Sequence, residues 1–150
     1  MNKLNVAALS SVCAIALAGC ATLEESAAEL VGQTYDAELT GAKIVGTGDA
    51  DASATFELTV AGSVDQICYD LNDERNLGTV TAVMLHRGGP TQNGPMVANF
   101  ERNDQNGYQN CTGLTEWLED FVQADPTGYY IQVHTTEYPN GAIRGQLDAD

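Results

Sequence analysis

Positive charge is scarce in this sequence of 150 residues: six Lys and Arg stand against 21 Asp and Glu, for a formal net charge of −15 at pH 7. Phosphate backbones are bound by Lys and Arg that displace counterions, so this balance excludes nucleic acid as a partner. No apolar run reaches the roughly 20 residues that a helix needs to cross a hydrocarbon core about 30 Å thick. The longest candidate, Leu4 to Gly19, is 16 residues. No Gly-x-Ser-x-Gly nucleophile turn and no Walker-type phosphate loop is present. Ser53 and Ser63 fall in strand or turn patterns. With no catalytic constellation in view, the sequence reads as non-enzymatic and implies no cofactor.

What is there begins at the first residues. Lys3 precedes the uncharged stretch, which ends in Leu17-Ala18-Gly19-Cys20. One early positive charge, a short apolar segment and small residues at its end form a signal-peptide layout. Leu-Ala-Gly-Cys resembles the bacterial lipobox, which predicts cleavage before Cys20 and lipid, including palmitate, on its thiol. Each buried acyl methylene contributes about 0.8 kcal/mol, and two or more chains hold stably. No paired arginines precede the apolar stretch, which favours the general secretory route. Ala21, rather than Asp, follows the cysteine and points to the outer membrane, facing the periplasm or the cell surface.

Removing 1–19 leaves 131 residues, the size of one domain. Five basic residues remain (Lys43, Arg75, Arg87, Arg102, Arg144) against all 21 acids. Residues 20–33 are too short and polar to own a core and read as a tether, leaving a domain over 34–150. Cys13 leaves with the signal and Cys20 takes lipid, so Cys68 and Cys111 remain as a pair bound for a compartment where disulfides persist. A bond between them is expected; the alternative is two separate buried thiols.

Alternation dominates the domain. Tyr35, Ala37 and Leu39, then Phe56, Leu58 and Val60, then Ile67, Tyr69 and Leu71 recur with period two, Cys68 lying on the opposite face from the last set. Such patterning marks half-buried strands. Val80 to Leu85 and Met96 to Phe100 are two further apolar runs, and Tyr129–His134 and Ala142–Leu147 flank Pro139-Asn140-Gly141 as a hairpin. Leu114, Trp117, Leu118, Phe121 and Val122 instead fall at helical spacing, with Thr115 as cap and Asp125-Pro126 as stop. The predicted class is all-β, an antiparallel Greek-key sandwich with one short amphipathic helix.

The segment Tyr-Tyr-Ile-Gln-Val-His-Thr-Thr-Glu-Tyr-Pro-Asn-Gly-Ala-Ile-Arg-Gly-Gln-Leu over 129–147 resembles the closing motif of the chordin (CHRD) domain family. Residues 46–54 resemble its acidic turn, and Leu-His-Arg-Gly-Gly-Pro onward from 85 its central His-Gly motif. The resemblance implies an all-β extracytoplasmic module, related in animal chordin to binding of secreted growth factors. It singles out His86, Gly88, His134, Gly141, Arg144 and Gly145. Where the family commonly has His-x-His-x-Gly, this chain has Met84-Leu85-His86-Arg87-Gly88.

Two functions follow. The first is a lipid-anchored, non-enzymatic binding or structural module of the cell envelope, whose partners are the membrane, through Cys20, and an unidentified protein or envelope polymer. The alternative is a periplasmic copper-binding protein, because a thioether on Met84 and imidazoles on His86 and His134 suit copper(I). Each histidine is otherwise expected to bond a loop carbonyl. Asp49 and Asp51 alternate as in a calcium loop, but Ala54 and Val60 stand where an EF-hand needs glycine and glutamate. A solvated turn is expected there. Arg144 and Glu137 flank the last hairpin turn and are expected to pair.

Overall fold

The computed structural model describes residues 32–113, 118, 122 and 124–149. The expected signal segment, Cys20 and most of the tether lie outside them. Among the described residues no helix is long and apolar enough to cross a membrane.

Among the described residues nine strands form: β1 (Gln33–Thr40), β2 (Ser53–Ala61), β3 (Gln66–Arg75), β4 (Val80–Arg87), β5 (Met96–Phe100), β6 (Asn110–Gly113), β7 (Tyr129–Thr135), β8 (Ile143–Gln146) and β9 (Asp148–Ala149). All pairings are antiparallel. The ladders run without a break in the order β5-β4-β7-β8-β1-β2-β3-β6, with β9 also on β1. The all-β antiparallel expectation is met. The two separate sheets and Greek-key order of a sandwich are not seen; one sheet curls on itself instead.

Aromatic packing shows the curl. Phe100, on the edge strand β5, stands 5.1 Å from Phe56 of β2 and 4.7 Å from Tyr69 of β3, ring centre to ring centre. Tyr69 Oη donates to the Glu101 carbonyl at 2.8 Å and lies 3.1 Å from the Glu101 N–H. Strands far apart in the ladder order therefore face each other across one core, filled by alternate apolar residues of β1 to β5, β7 and β8. Tyr35, Leu39, Phe56, Leu58, Val83, Leu85, Ile131, Val133, Ile143 and Leu147 are all buried there.

Cys68 faces away from that core, as the alternation predicts, and lies opposite Cys111 in the β3–β6 register. The two form a disulfide. The amphipathic helix expected over 114–122 lies outside the described residues except Leu118 and Val122, both buried in the main core. Asp125-Pro126, expected to end it, opens a 3₁₀ turn over Pro126–Gly128, with Asp125 Oδ1 accepting from the Thr127 hydroxyl at 2.8 Å and the Gly128 N–H at 3.2 Å. Proline at the first position of a turn costs nothing, since its missing N–H would have no partner there.

Candidate functional site

Because β4, β7 and β8 send odd-numbered side chains into the core, their even-numbered ones share the outer face. Met84 and His86 of β4, Tyr130, Gln132 and His134 of β7, and Arg144 and Gln146 of β8 stand on it. In the open, such a face would be wet. Here the β4–β5 loop folds over part of it, and Arg144 is only 1% exposed.

A buried guanidinium needs acceptors for its fixed fork of donors. Arg144 finds four: the carbonyls of Gly89 (2.7 Å) and Gln92 (3.0 Å), and the side-chain oxygens of Asn93 and Gln146 (both 3.3 Å). Its carbon centre sits 3.3 Å from the centroid of Tyr130, a cation–π contact. The expected pairing with Glu137 is not formed. Glu137 is exposed, while loop carbonyls on the covered side offer Arg144 more acceptors than one solvated carboxylate would. Gln146 works beside it, its amide nitrogen donating to Gly88 (2.9 Å), Thr127 (2.7 Å) and Tyr129 (3.2 Å) carbonyls.

His86 stacks on Tyr130, rings 5.0 Å apart and 7° from parallel. Its Nδ1 lies 3.0 Å from the Gly94 carbonyl, which can only accept, so Nδ1 carries the proton. Nε2 is buried, with no hydrogen-bond partner among the described residues. Burial pushes the His86 pKa below its ordinary value; the Gly94 bond opposes this, and His134 and Arg144 add to it through charge. Tyr130, between the two, accepts from Gly94 N–H at 3.1 Å through its hydroxyl. His134 holds a different loop: Nδ1 donates to the Pro139 carbonyl at 2.9 Å, and Nε2 faces the Gln132 amide nitrogen at 3.4 Å. That amide also donates to Asn140 at 3.1 Å. Each histidine thus bonds a loop carbonyl, as expected.

The copper set is not assembled. Ala82 is opposite His134 and His86 is opposite Tyr130, so the two histidines are separated by about four residues of strand, or roughly 13 Å of backbone. Gln132, opposite Met84, stands between them. Among the described residues no group of three or more His, Cys, Asp or Glu is placed to hold a metal. Asp49 and Asp51 form a turn in which Asp49 Oδ1 accepts from the Asp51 N–H at 3.3 Å. Asn76 donates to the Asp51 carbonyl at 3.1 Å, so this acidic turn is pinned to the end of β3.

Two glycines of the closing motif are required by geometry. Gly141 has φ +123°, and a Cβ there would press on the Gln132 amide. At Gly145 a Cβ would run into the Glu38 carbonyl, so glycine lets β8 close on β1.

A family model of the CHRD domain matches residues 35–147. The chain belongs to the CHRD domain family. No curated protein and no solved structure matches it. The matched span runs from β1 to the residue after β8, so the CHRD domain here is the curled sheet itself.

What the CHRD motif residues build is one wall of an open groove of about 1040 Å³. Pro90 and Thr91, on the loop that Arg144 holds, face Ala42, Ile44 and Val45 of the β1–β2 connection. Asn93 Nδ2 reaches the Val45 carbonyl at 3.5 Å, where the walls meet. Glu38 and Leu147 line the groove between them. Asp36 and Asp148, partners across β1 and β9, line it too and stand four residues along β1 from Thr40. Lys43 Nζ donates to the Glu38 carbonyl at 2.6 Å. Neither the groove nor the roles of Asn93, Tyr130, Gln132 and Gln146 were foreseen. Period two alone would have placed the last three on one face with Arg144; nothing local shows that a loop covers that face.

Proposed function

We propose that this CHRD protein is an exported lipoprotein whose domain is a non-enzymatic binding module, held to the outer membrane by lipid on Cys20 and binding an envelope partner in the groove between the 42–45 and 90–91 walls. One observation carries the reading: Arg144, Gln146 and His86 are spent on carbonyls of the β4–β5 loop, which forms one wall of an open groove. Preformed concavities lined mainly by apolar groups with a few placed polar ones are the usual form of a binding site. A disulfide between Cys68 and Cys111 fits a compartment outside the cytoplasm.

Replacing Cys20 with Ala should move the protein from the detergent phase of membranes to the aqueous phase; retention would mean the apolar segment is itself the anchor. Ala42 is exposed and lines the groove, so Ala42→Trp should fill it without touching the core. Cross-linking in envelope extract should give an adduct with the native chain and none with Ala42→Trp. Equal adducts from both would dismiss the groove as the site.

A further inference from the structure

We infer that His86 is a proton-operated latch: protonating its imidazole releases the β4–β5 loop, residues 88–94, from the outer face of the sheet. The release stands by itself, while its consequence, a groove that loosens its hold in mild acid, rests on the reading above. Side chains of the sheet hold this loop at several points: Arg144 on Gly89, Gln92 and Asn93, Gln146 on Gly88, and His86 and Tyr130 on Gly94. Pro90 and Thr91, which line the groove, lie within the span so held. Of the holders only His86 titrates near neutral pH.

The neutral ring fits its place and the charged ring does not. With its proton on Nδ1, His86 donates to the Gly94 carbonyl and stacks on Tyr130. A second proton would go to Nε2, which is buried with no acceptor among the described residues. It would also set a second cation against the Tyr130 ring, where the Arg144 guanidinium already sits 3.3 Å from the centroid. The titratable and charged groups around His86 are Tyr130 and His134 from β7 and Arg144 from β8; Arg87, its neighbour on β4, is exposed. Met96 lies opposite on β5, and the loop, Gly-Gly-Pro-Thr-Gln-Asn-Gly, carries no titratable side chain. Of the chain's 21 acids none falls within 80–100, 129–135 or 143–146, so these strands and their loop hold no carboxylate to balance an imidazolium. A buried charge without a partner is neutralised or driven out to water.

Burial accordingly holds the native His86 pKa below its ordinary value, with the Gly94 bond opposing and His134 and Arg144 adding. An imidazole released to water titrates at about 6.5. The open form therefore takes up a proton that the closed form refuses, and opening grows as pH falls from about 6.5 toward the lowered native value.

The test is amide hydrogen exchange of the full chain in neutral detergent at about pH 8 and about pH 5, each rate divided by that of the unfolded chain at the same pH. Protection of the Gly88 and Gly94 amides, which donate to Gly128 and Tyr130, should fall at least about fivefold, a coupling of ordinary size. It should lie below that of β2 and β3 at both pH values, the mark of a local opening. His86→Asn, which can still donate to Gly94, should lose the fivefold change. In the native chain the His86 ring resonance should titrate below the ordinary histidine value, a readout that needs no variant. Protection at 88–94 indifferent to pH or equal to that of β2 and β3, an unchanged fall in His86→Asn, or a ring that titrates at the ordinary value overturns the latch. Photo-activated cross-linking in envelope extract separates the latch from the groove. The adduct should weaken at about pH 5 with the native chain and persist with His86→Asn; an adduct equal at both pH values overturns the consequence for the groove and leaves the release. If exchange shows the latch while Ala42→Trp leaves the adduct intact, the latch stands and the groove reading falls. If Ala42→Trp removes the adduct while exchange at 88–94 ignores pH, the groove reading stands and the latch falls.

Discussion

The edge strand β6 is fastened to β3 by a covalent bond, whereas the loop between β4 and β5 is fastened to the sheet by hydrogen bonds from Arg144 and Gln146. Both hold a peripheral piece of chain onto the same curled sheet, by opposite routes. The Cys68–Cys111 bond closes a separation of 43 residues and acts largely by limiting the unfolded chain. Arg144 acts in the native state, where it adds a charged donor to the carbonyls of Gly89 and Gln92. The first fastening depends on an oxidising compartment. The second is independent of redox conditions and sensitive to the identity of one side chain.

The largest expected effect lies on the covalent side. Reducing the disulfide, or replacing both cysteines with Ser, should cost about 4 kcal/mol on the chain-entropy model. Urea unfolding with and without reductant measures it. A much smaller loss would show that β6 stays paired with β3 without the bond, and the comparison would lose its covalent half.

Next comes Arg144→Met, which keeps volume and removes the donors. The Gly89 and Gln92 carbonyls lose their bonds to Arg144, Gly89 keeping the Gln92 N–H, and at about 1.5–3 kcal/mol for a hydrogen bond to a charged group the variant should lose roughly 2 kcal/mol in the oxidised protein. Hydrogen exchange would sharpen the point: amides of 88–94 should lose protection before those of β2 and β3. Uniform loss across the sheet would mean that the loop is not a separable fastening.

The smallest effect is on pH. Because the native His86 pKa lies below its ordinary value, the unfolded chain binds more protons between the native value and about 6.5, and stability rises with pH there. The contribution is complete above about pH 6.5 and is lost as pH falls toward the lowered native value. His86→Asn, which can still donate to Gly94, should show a shallower decline over that window than the native chain. Identical slopes would remove His86 as a source of acid sensitivity at this end of the molecule.

How much was legible in the sequence follows the same division. Period-two patterning put Tyr35, Phe56 and Ile67 in the core and Cys68 outside it, because strand geometry is local and the core is apolar. Counting cysteines found the disulfide. The curl was not legible: the aromatic cluster of Phe56, Tyr69 and Phe100 joins strands by tertiary packing that no short window contains. Nor was the role of Arg144. Its partners lie 51 to 55 residues away along the chain or two residues on, and the distant ones are mostly backbone carbonyls, which every residue possesses and no motif marks. Arg144, Gly141 and Gly145, singled out by the resemblance, stand where a buried fork of donors or a close backbone approach is needed, while the pairing drawn from local reasoning, Arg144 with Glu137, is not formed.

The ladder order also has a mechanical side. Beginning at Gln33, β1 is not an edge strand: β2 pairs with it along eight register positions on one side, and β8 and β9 flank the other. A pull applied at residue 32 is directed along β1, so its hydrogen bonds must shear together rather than peel one at a time. The same strand lines the groove through Asp36 and Glu38. Tension between an anchor upstream of β1 and a partner seated there would run through one internal strand and leave both β6 and the disulfide slack.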